Sequence, residues 1–388
     1  MEVAGLNLES PPRSADRARP GTALSDIPVQ STFLSIEPLV GEWDELASRV
    51  GATLFVRPGW VAAWWRAFGV GHLEIRTLRR NGRLVAVLPM ARRYGALRSA
   101  TNYHTPRSSL LAEDWSAVTE LARTLFTGDP RLVSITPLDP YGASMTACRR
   151  AADKAGYRVV VRPFQRSPYI DIKGDMAEYE SRLSRNLVDD LHRSQQRLDR
   201  QGKVSVEIAR GHERLEELLR EAFAVEASGW KGSYNSAIQS RAETRGFYTD
   251  VARWAAARNL LRLFFLRLDQ RPLAMIYALE EGGICHLLKG GYDPTYGRFS
   301  PGKLLMRAVV SHCFATGLWR LECHGDAETY KLRWADAVDE RKRFEAFSPS
   351  PAGLFAWAAR VYGRPAAKRV LGLLGTWRRA EHEGTRRI

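Results

Sequence analysis

A duplicated α+β fold is what the 388-residue sequence predicts: two tandem lobes, each a mixed, mostly antiparallel sheet flanked by helices, and then a C-terminal helical tail. Three observations predict it. The length exceeds one ordinary domain of roughly 100–200 residues. The composition is globular, with 45% hydrophobic, 26% charged and 10% aromatic residues, which excludes disorder, collagen and coiled coil as descriptions of the whole chain. The same order of strand and helix signals also occurs twice.

Residues 1–30 lack an apolar stretch and read as a disordered leader rather than a signal peptide. The first unit spans 31–168. Ser31–Glu37 alternates as a short strand, and Glu42–Val50 and Pro58–Phe68 have helical periodicity, the latter with Pro in its first turn. His72–Arg80 and Arg83–Ala91 alternate around Asn81-Gly82, a pair suited to the two positive φ angles of a type I′ hairpin. A helix at Asp114–Thr127, a strand at Leu132–Thr136, a helix at Gly142–Ala155 and a strand at Tyr157–Val161 complete it. Pro163, Pro168 and Gly174 mark a break around the strand Tyr169–Ile172.

The second unit spans 169–348. A long charged helix over Met176–Gln201 stops at Gly202. The earlier order then returns: a strand at Val204–Ala209, helices at Glu213–Ala227 and Ala242–Arg258, and strands at Leu260–Leu268, Pro272–Glu280 and Ile284–Gly290. A helix at Gly302–Ala315 and strands at Trp319–Cys323 and Arg343–Phe347 close it. Residues 349–388 form a basic helical tail.

The net charge of +15 comes from 49 Arg and 9 Lys against 43 acidic residues. Codon bias toward Arg accounts for the skew, yet a surplus this large also suits an anionic partner. Eight basic and two acidic residues lie in 349–388, and with the apolar set Phe355, Trp357, Val361, Tyr362 and Leu371 that tail could lie on an acidic membrane face or pack against the body. Cys148, Cys285, Cys313 and Cys323 have no CxxC spacing, so a reduced, cytosolic protein is expected. His286 and His312 stand apart from other ligand types in sequence, and no metal is expected.

The most specific stretch is LKGGYDPTYGRFSPGKLL, Leu288–Leu305. A strand ends, an irregular turn follows and an apolar helix begins at once. Ser300 as N-cap and Pro301 at the first position would leave N–H groups at Gly302, Lys303 and Leu304, which with Arg298 and Lys303 suit a pyrophosphate. A capped helix after a bulged turn would give the same pattern. GxxxxGK[ST] is absent, and no GxGxxG follows a strand.

That stretch, with SRNLVDDLHRSQQRL (Ser184–Leu198), EASGWKG (Glu226–Gly232), FYTDVA (Phe247–Ala252) and GDAETYKLRW (Gly325–Trp334), resembles the GNAT-type acetyltransferases of the CelD/BcsL, BioF2-like group, relatives of the FemAB transferases. The resemblance implies two tandem GNAT-like (acyl-CoA N-acyltransferase) lobes. It also implies acetyl-CoA or another acyl-CoA as donor substrate and an amine or hydroxyl acceptor, such as a cell-envelope polysaccharide or its precursor. Arg298, Phe299, Ser300, Pro301, Gly302 and Lys303 match the family's pyrophosphate loop, although Pro301 stands where that loop has Gly. An aminoacyl-tRNA donor in the FemAB manner therefore stays open, as does a non-catalytic role in polysaccharide biosynthesis.

Acyl transfer from a thioester needs a deprotonated nucleophile and charge stabilisation at the carbonyl. Asp326, Glu328 and His324 could take a proton, and Lys331 could stabilise the oxyanion. The resemblance adds Glu226 as an acidic residue facing the acceptor. It further places Trp230, Lys289, Tyr292, Tyr330, Arg333 and Trp334 at the acceptor cleft. Surface ion pairs and a solvated helix end are the alternatives for these charges.

Overall fold

The computed structural model describes residues 29–211, 213–229 and 238–363. Its first half holds β1 (Val29–Phe33), α1 (Val40–Arg49), α2 (Pro58–Phe68), β2 (His72–Arg80), β3 (Arg83–Arg93), β4 (Ala96–Ser99), β5 (Leu111–Ala112), α3 (Trp115–Thr124), β6 (Leu132–Leu138) and α4 (Ala143–Lys154). After β7 (Arg158–Asp171) come α5 (Met176–Arg182), α6 (Arg185–Asp199), β8 (Val204–Ala209), α7 (Leu215–Ser228), α8 (Ala242–Ala256), β9 (Leu261–Leu268) and β10 (Arg271–Glu281). The chain ends with β11 (Ile284–Tyr292), α9 (Pro301–Ala315), β12 (Arg320–Glu322), α10 (Thr329–Leu332), β13 (Ala337–Phe347) and α11 (Pro351–Ala358).

Local chemistry explains several boundaries. The β2–β3 hairpin turns at Asn81 (φ 51) and Gly82 (φ 76), both positive as a type I′ turn requires. Asp114 caps α3 through a side-chain bond from the Ala117 N–H. The single helix expected over Met176–Gln201 is two helices, because Leu183 leaves helical geometry and the Ser184 side chain caps a new start by accepting from the Leu187 N–H.

The strands join in one sheet in the order β1-β2-β3-β4-β6-β13-β7-β12-β11-β10-β9-β8, with β5 added on β3. Each half has a four-stranded antiparallel meander followed by a parallel neighbour, β4 with β6 and β11 with β12. This is the expected mixed, mostly antiparallel pattern, built twice. The seam differs from expectation. β7 runs unbroken through Pro163 and Pro168, where a break is expected, and pairs with β12 of the second half. β13, the last strand, returns to pair with β6 of the first half. Each half thus receives one strand from the other, and β13 and β7 form an antiparallel ladder from Ala337↔Tyr169 to Phe347↔Arg158.

Helices reinforce the seam. Trp60 and Trp64 of α2 are buried with Phe247, Tyr248 and Val251 of α8 in one apolar cluster. Trp60 meets Phe55 and Phe247 edge-on, at 4.8 Å and 5.1 Å between ring centres. At the far end, Phe355 and Tyr362 are exposed. The rest of the expected tail, 364–388, and the leader through residue 28 lie outside the described residues.

Candidate active site

The site originates where two parallel strands part. β11 pairs with β12 only over Ile284–His286 and Arg320–Glu322. Beyond His286, β11 continues to Tyr292 beside β10 alone, with a register shift opposite Tyr277/Ala278 that leaves Leu288 as the extra residue. A cavity of about 1000 Å³ fills the split, bounded by β11, the Cys323–Asp326 turn, the start of α9 and first-half residues. α7 closes one wall by packing directly on the strand: a Cβ on Gly291 would lie 2.7 Å from the Glu226 Cα.

The residues expected to hold a pyrophosphate separate into two groups. Ser300, Gly302 and Lys303 line the cavity. Phe299 and Pro301 are buried, Phe299 as part of the core under α9, and the Arg298 guanidinium lies 4.7 Å from the Phe299 ring centre. Ser300 does not cap α9 with its side chain. It adopts a left-handed conformation (φ 50), and its carbonyl accepts from the N–H groups of Lys303 (2.9 Å) and Leu304 (3.2 Å). Of the three donors expected at this helix start, only the Gly302 N–H has no backbone acceptor among the described residues. A Cβ on Gly302 would be 3.3 Å from the Tyr292 ring. The Lys303 ammonium pairs with Asp190 at 2.6 Å.

Lys331 is placed differently from expectation. Its ammonium donates to the His324 carbonyl (2.7 Å) and the Asp326 carbonyl (3.3 Å) and pairs with Glu328 (2.8 Å). Three partners occupy its three N–H donors, so Lys331 locks the 324–331 turn rather than presenting a charge to a thioester. Lys331→Met should lower the urea unfolding midpoint by an amount worth about 1–3 kcal/mol; an unchanged midpoint would show the lock to be idle.

Glu226 is buried and lines the cavity, and its Oε2 accepts from the Ile238 N–H at 2.8 Å. Asp326 is exposed and lines the same cavity. Lys289, Tyr292, Tyr330, Arg333 and Trp334 also line the cavity, with Tyr330 exposed and Trp334 buried. The Lys289 ammonium lies 5.5 Å from the centre of the Tyr248 ring. Trp230 lies outside the described residues.

Two groups escape sequence reasoning. The first is His104, which comes from the first half, lines the cavity and meets Tyr248 of α8: its Nδ1 lies 3.1 Å from the Tyr248 hydroxyl. The second is a buried chain of His286, Glu322 and His324. The expectation that His286 stands apart from other ligand types is wrong, because the parallel register sets His286 opposite Glu322 and His324 follows two residues on. His312 is not isolated either, bonding Glu280 at 2.8 Å.

Ligand-type atoms of His286, Glu322 and His324 lie within 4.8 Å of one another, close enough for one metal ion. The surrounding charge disfavours a cation. Arg107 bonds Glu322 Oε1, Arg320 lies 3.3 Å from the same oxygen, and His286 Nδ1 and His324 Nε2 bond each other at 3.0 Å. Burial, then the nearby arginines, holds the His286 pKa down at about 3, and burial with His286 and Arg107 lowers that of His324. The Glu322 carboxyl is raised by burial against the pull of Arg107 and Arg320. Cys323 lines the cavity but is no ready nucleophile, since burial pushes its thiol up to about 12.

Residues 185–332 match the family of the acetyltransferase (GNAT) domain. The matched stretch contains the β11–β12 split, Glu226 and the start of α9, while the first half and β13 lie outside it. No curated protein matches the chain. Among solved structures, FemX aligns with a TM-score of 0.57 and 11% identity over 81% of this chain and 96% of its own. A C-terminal domain (DUF2156) from Agrobacterium fabrum aligns at 0.55 and 12% identity, covering 84% and 97%. L-PGS from Bacillus licheniformis aligns at 0.51 and 10%, covering 83% and 96%. These likenesses extend the shared fold across both halves. No described helix is long and apolar enough to cross a membrane.

Proposed function

We propose that the chain transfers an acyl group from acyl-CoA to an amine or hydroxyl, with the donor held by the second half and the acceptor approaching from the first. The split between β11 and β12 carries this reading. Beyond His286 the side of β11 away from β10 pairs with no strand among the described residues, and an extended, amide-bearing arm such as pantetheine can lie along that edge as a strand would. The start of α9, with the Gly302 N–H, the helix dipole and Lys303, faces the same cavity and suits the diphosphate end.

In this scheme the main chain around Leu288 and Lys289 polarises the thioester carbonyl. Attack by the acceptor forms the new acyl bond and expels the CoA thiolate. The acceptor proton passes to Glu226 or Asp326, two of the three carboxylates that line the cavity; the third, Glu328, is paired with Lys331. Lys331 holds the turn that carries Asp326.

Calorimetry tests the donor. Wild-type protein should bind acetyl-CoA, and Gly302→Val, which adds bulk beside Tyr292, should weaken it at least about tenfold, or 1.4 kcal/mol. Equal affinity in both proteins removes α9 from the donor site. A rise in melting temperature with charged tRNA and none with acyl-CoA would replace the donor altogether.

A further inference from the structure

Buried polar atoms in native proteins almost always have partners, and each exception points to a purpose. Among the described residues, His104 Nε2 and Gln165 Oε1 are buried without a hydrogen-bond partner. Both residues line the cavity and both come from outside the matched 185–332 stretch, His104 from the loop after β4 and Gln165 from β7.

His104 is only 5% exposed. Phe68 stacks on its ring at 5.2 Å and Tyr103 lies over it at 3.9 Å, fixing its plane. Burial, with Lys289 and Arg241 nearby, keeps the imidazole neutral, its pKa at about 3. The hydroxyl of fully buried Tyr248 is set 3.1 Å from Nδ1. With the hydroxyl donating there, the single imidazole proton sits on Nε2. One unmatched donor and one unmatched acceptor therefore line the same cavity, with the exposed ring of Tyr103 beside His104.

We propose that His104 and Gln165 form an acceptor-recognition subsite for an uncharged group bearing an amide or neighbouring hydroxyls, such as an acetamido sugar. His104 Nε2–H donates to an oxygen of the ligand, and Gln165 Oε1 accepts its N–H or O–H. The proposal rests on the acyltransferase reading only for naming that ligand the acceptor.

The test uses the full chain and N-acetylglucosamine as probe, read by saturation-transfer NMR, with acetyl-CoA calorimetry in parallel. Wild type should bind the sugar. Gln165→Leu and His104→Phe should each weaken it about tenfold, the loss of one hydrogen bond of roughly 1.4 kcal/mol, with acetyl-CoA affinity unchanged. His104→Gln, which keeps an N–H donor, should bind better than His104→Phe. Gln165→Leu should also melt no lower than wild type, because it removes a buried polar atom that the fold leaves unmatched. No binding by wild type, equal binding by the variants, or a lower melting temperature for Gln165→Leu overturns the subsite. Sugar binding without acetyl-CoA binding upholds the subsite and overturns the acyltransferase reading instead.

Discussion

Urea unfolding followed from pH 7.5 downward should show stability that holds above pH 6.5 and falls steeply below it. Three buried histidines are responsible. Burial lowers His104 and His286 from 6.5 to about 3, and lowers His324 as well. Each is neutral in the folded chain and takes up a proton on unfolding once the pH drops under 6.5. The unfolded state then binds more protons, so stability present above 6.5 is lost as the pH falls toward the folded values. Each group contributes about 1.4 kcal/mol per pH unit in that window. Together they approach about 4 kcal/mol per unit, enough to exhaust an ordinary folding free energy of roughly 5–15 kcal/mol within a few units. Glu322 acts in the opposite direction: its carboxyl is raised above 4.5, so its contribution is full below 4.5 and lost as the pH rises through the raised value. It offsets one histidine over part of the range. His286→Gln should flatten the slope by about 1.4 kcal/mol per unit; an unaltered slope in that variant refutes the assignment.

Arg107→Met should cost about 3 kcal/mol at neutral pH. Arg107, in the loop after β4, reaches across the seam to Glu322 on β12 and, at 3.2 Å, to Asp339 on β13. Asp339 keeps Arg320 (2.9 Å) and Arg341 (3.1 Å), whereas Glu322, its side chain 3% exposed, keeps Arg320 as its one directly paired guanidinium among the described residues. Removing one side of a buried pair strands the other, which is why such changes cost about 3–5 kcal/mol. The lower end applies here because one guanidinium stays. The deficit should shrink as the pH falls, since Glu322 can then protonate. Arg107→Met combined with Glu322→Met should recover most of the loss. Equal deficits in the single and double variants would indicate that Arg107 acts through packing alone.

Elements with strong local signals were legible in the sequence. The Asn81-Gly82 hairpin and the Pro58–Phe68 helix stand where periodicity and turn chemistry put them. What could not be read was pairing between distant segments. Pro163 and Pro168 look like breakers, yet both fit in β7, where each lies opposite a β13 residue, Lys342 and Val338. The helix split at Leu183-Ser184 had a signal, a Ser ahead of an amphipathic run, that the charge pattern of the longer stretch concealed.

The site shows the same division. The Leu288–Leu305 stretch marked the start of α9 because the motif is continuous. The partners of Lys331 are two carbonyls and a carboxylate of its own turn, which composition does not reveal. Glu322 at the end of β12 and His324 two residues later were the available hint of a buried network. His104 had none, since its value depends on Tyr248, 144 positions away.

The crossing of β7 and β13 also bears on how such a chain could have arisen and what can be done with it. A gene duplication alone would give two self-sufficient copies side by side. Here each copy would be left with a gap in its sheet, so shedding one half during evolution, or cutting the chain at residue 168 in the laboratory, should yield insoluble fragments. Co-expressing the two pieces is the route by which either could regain its missing ribbon.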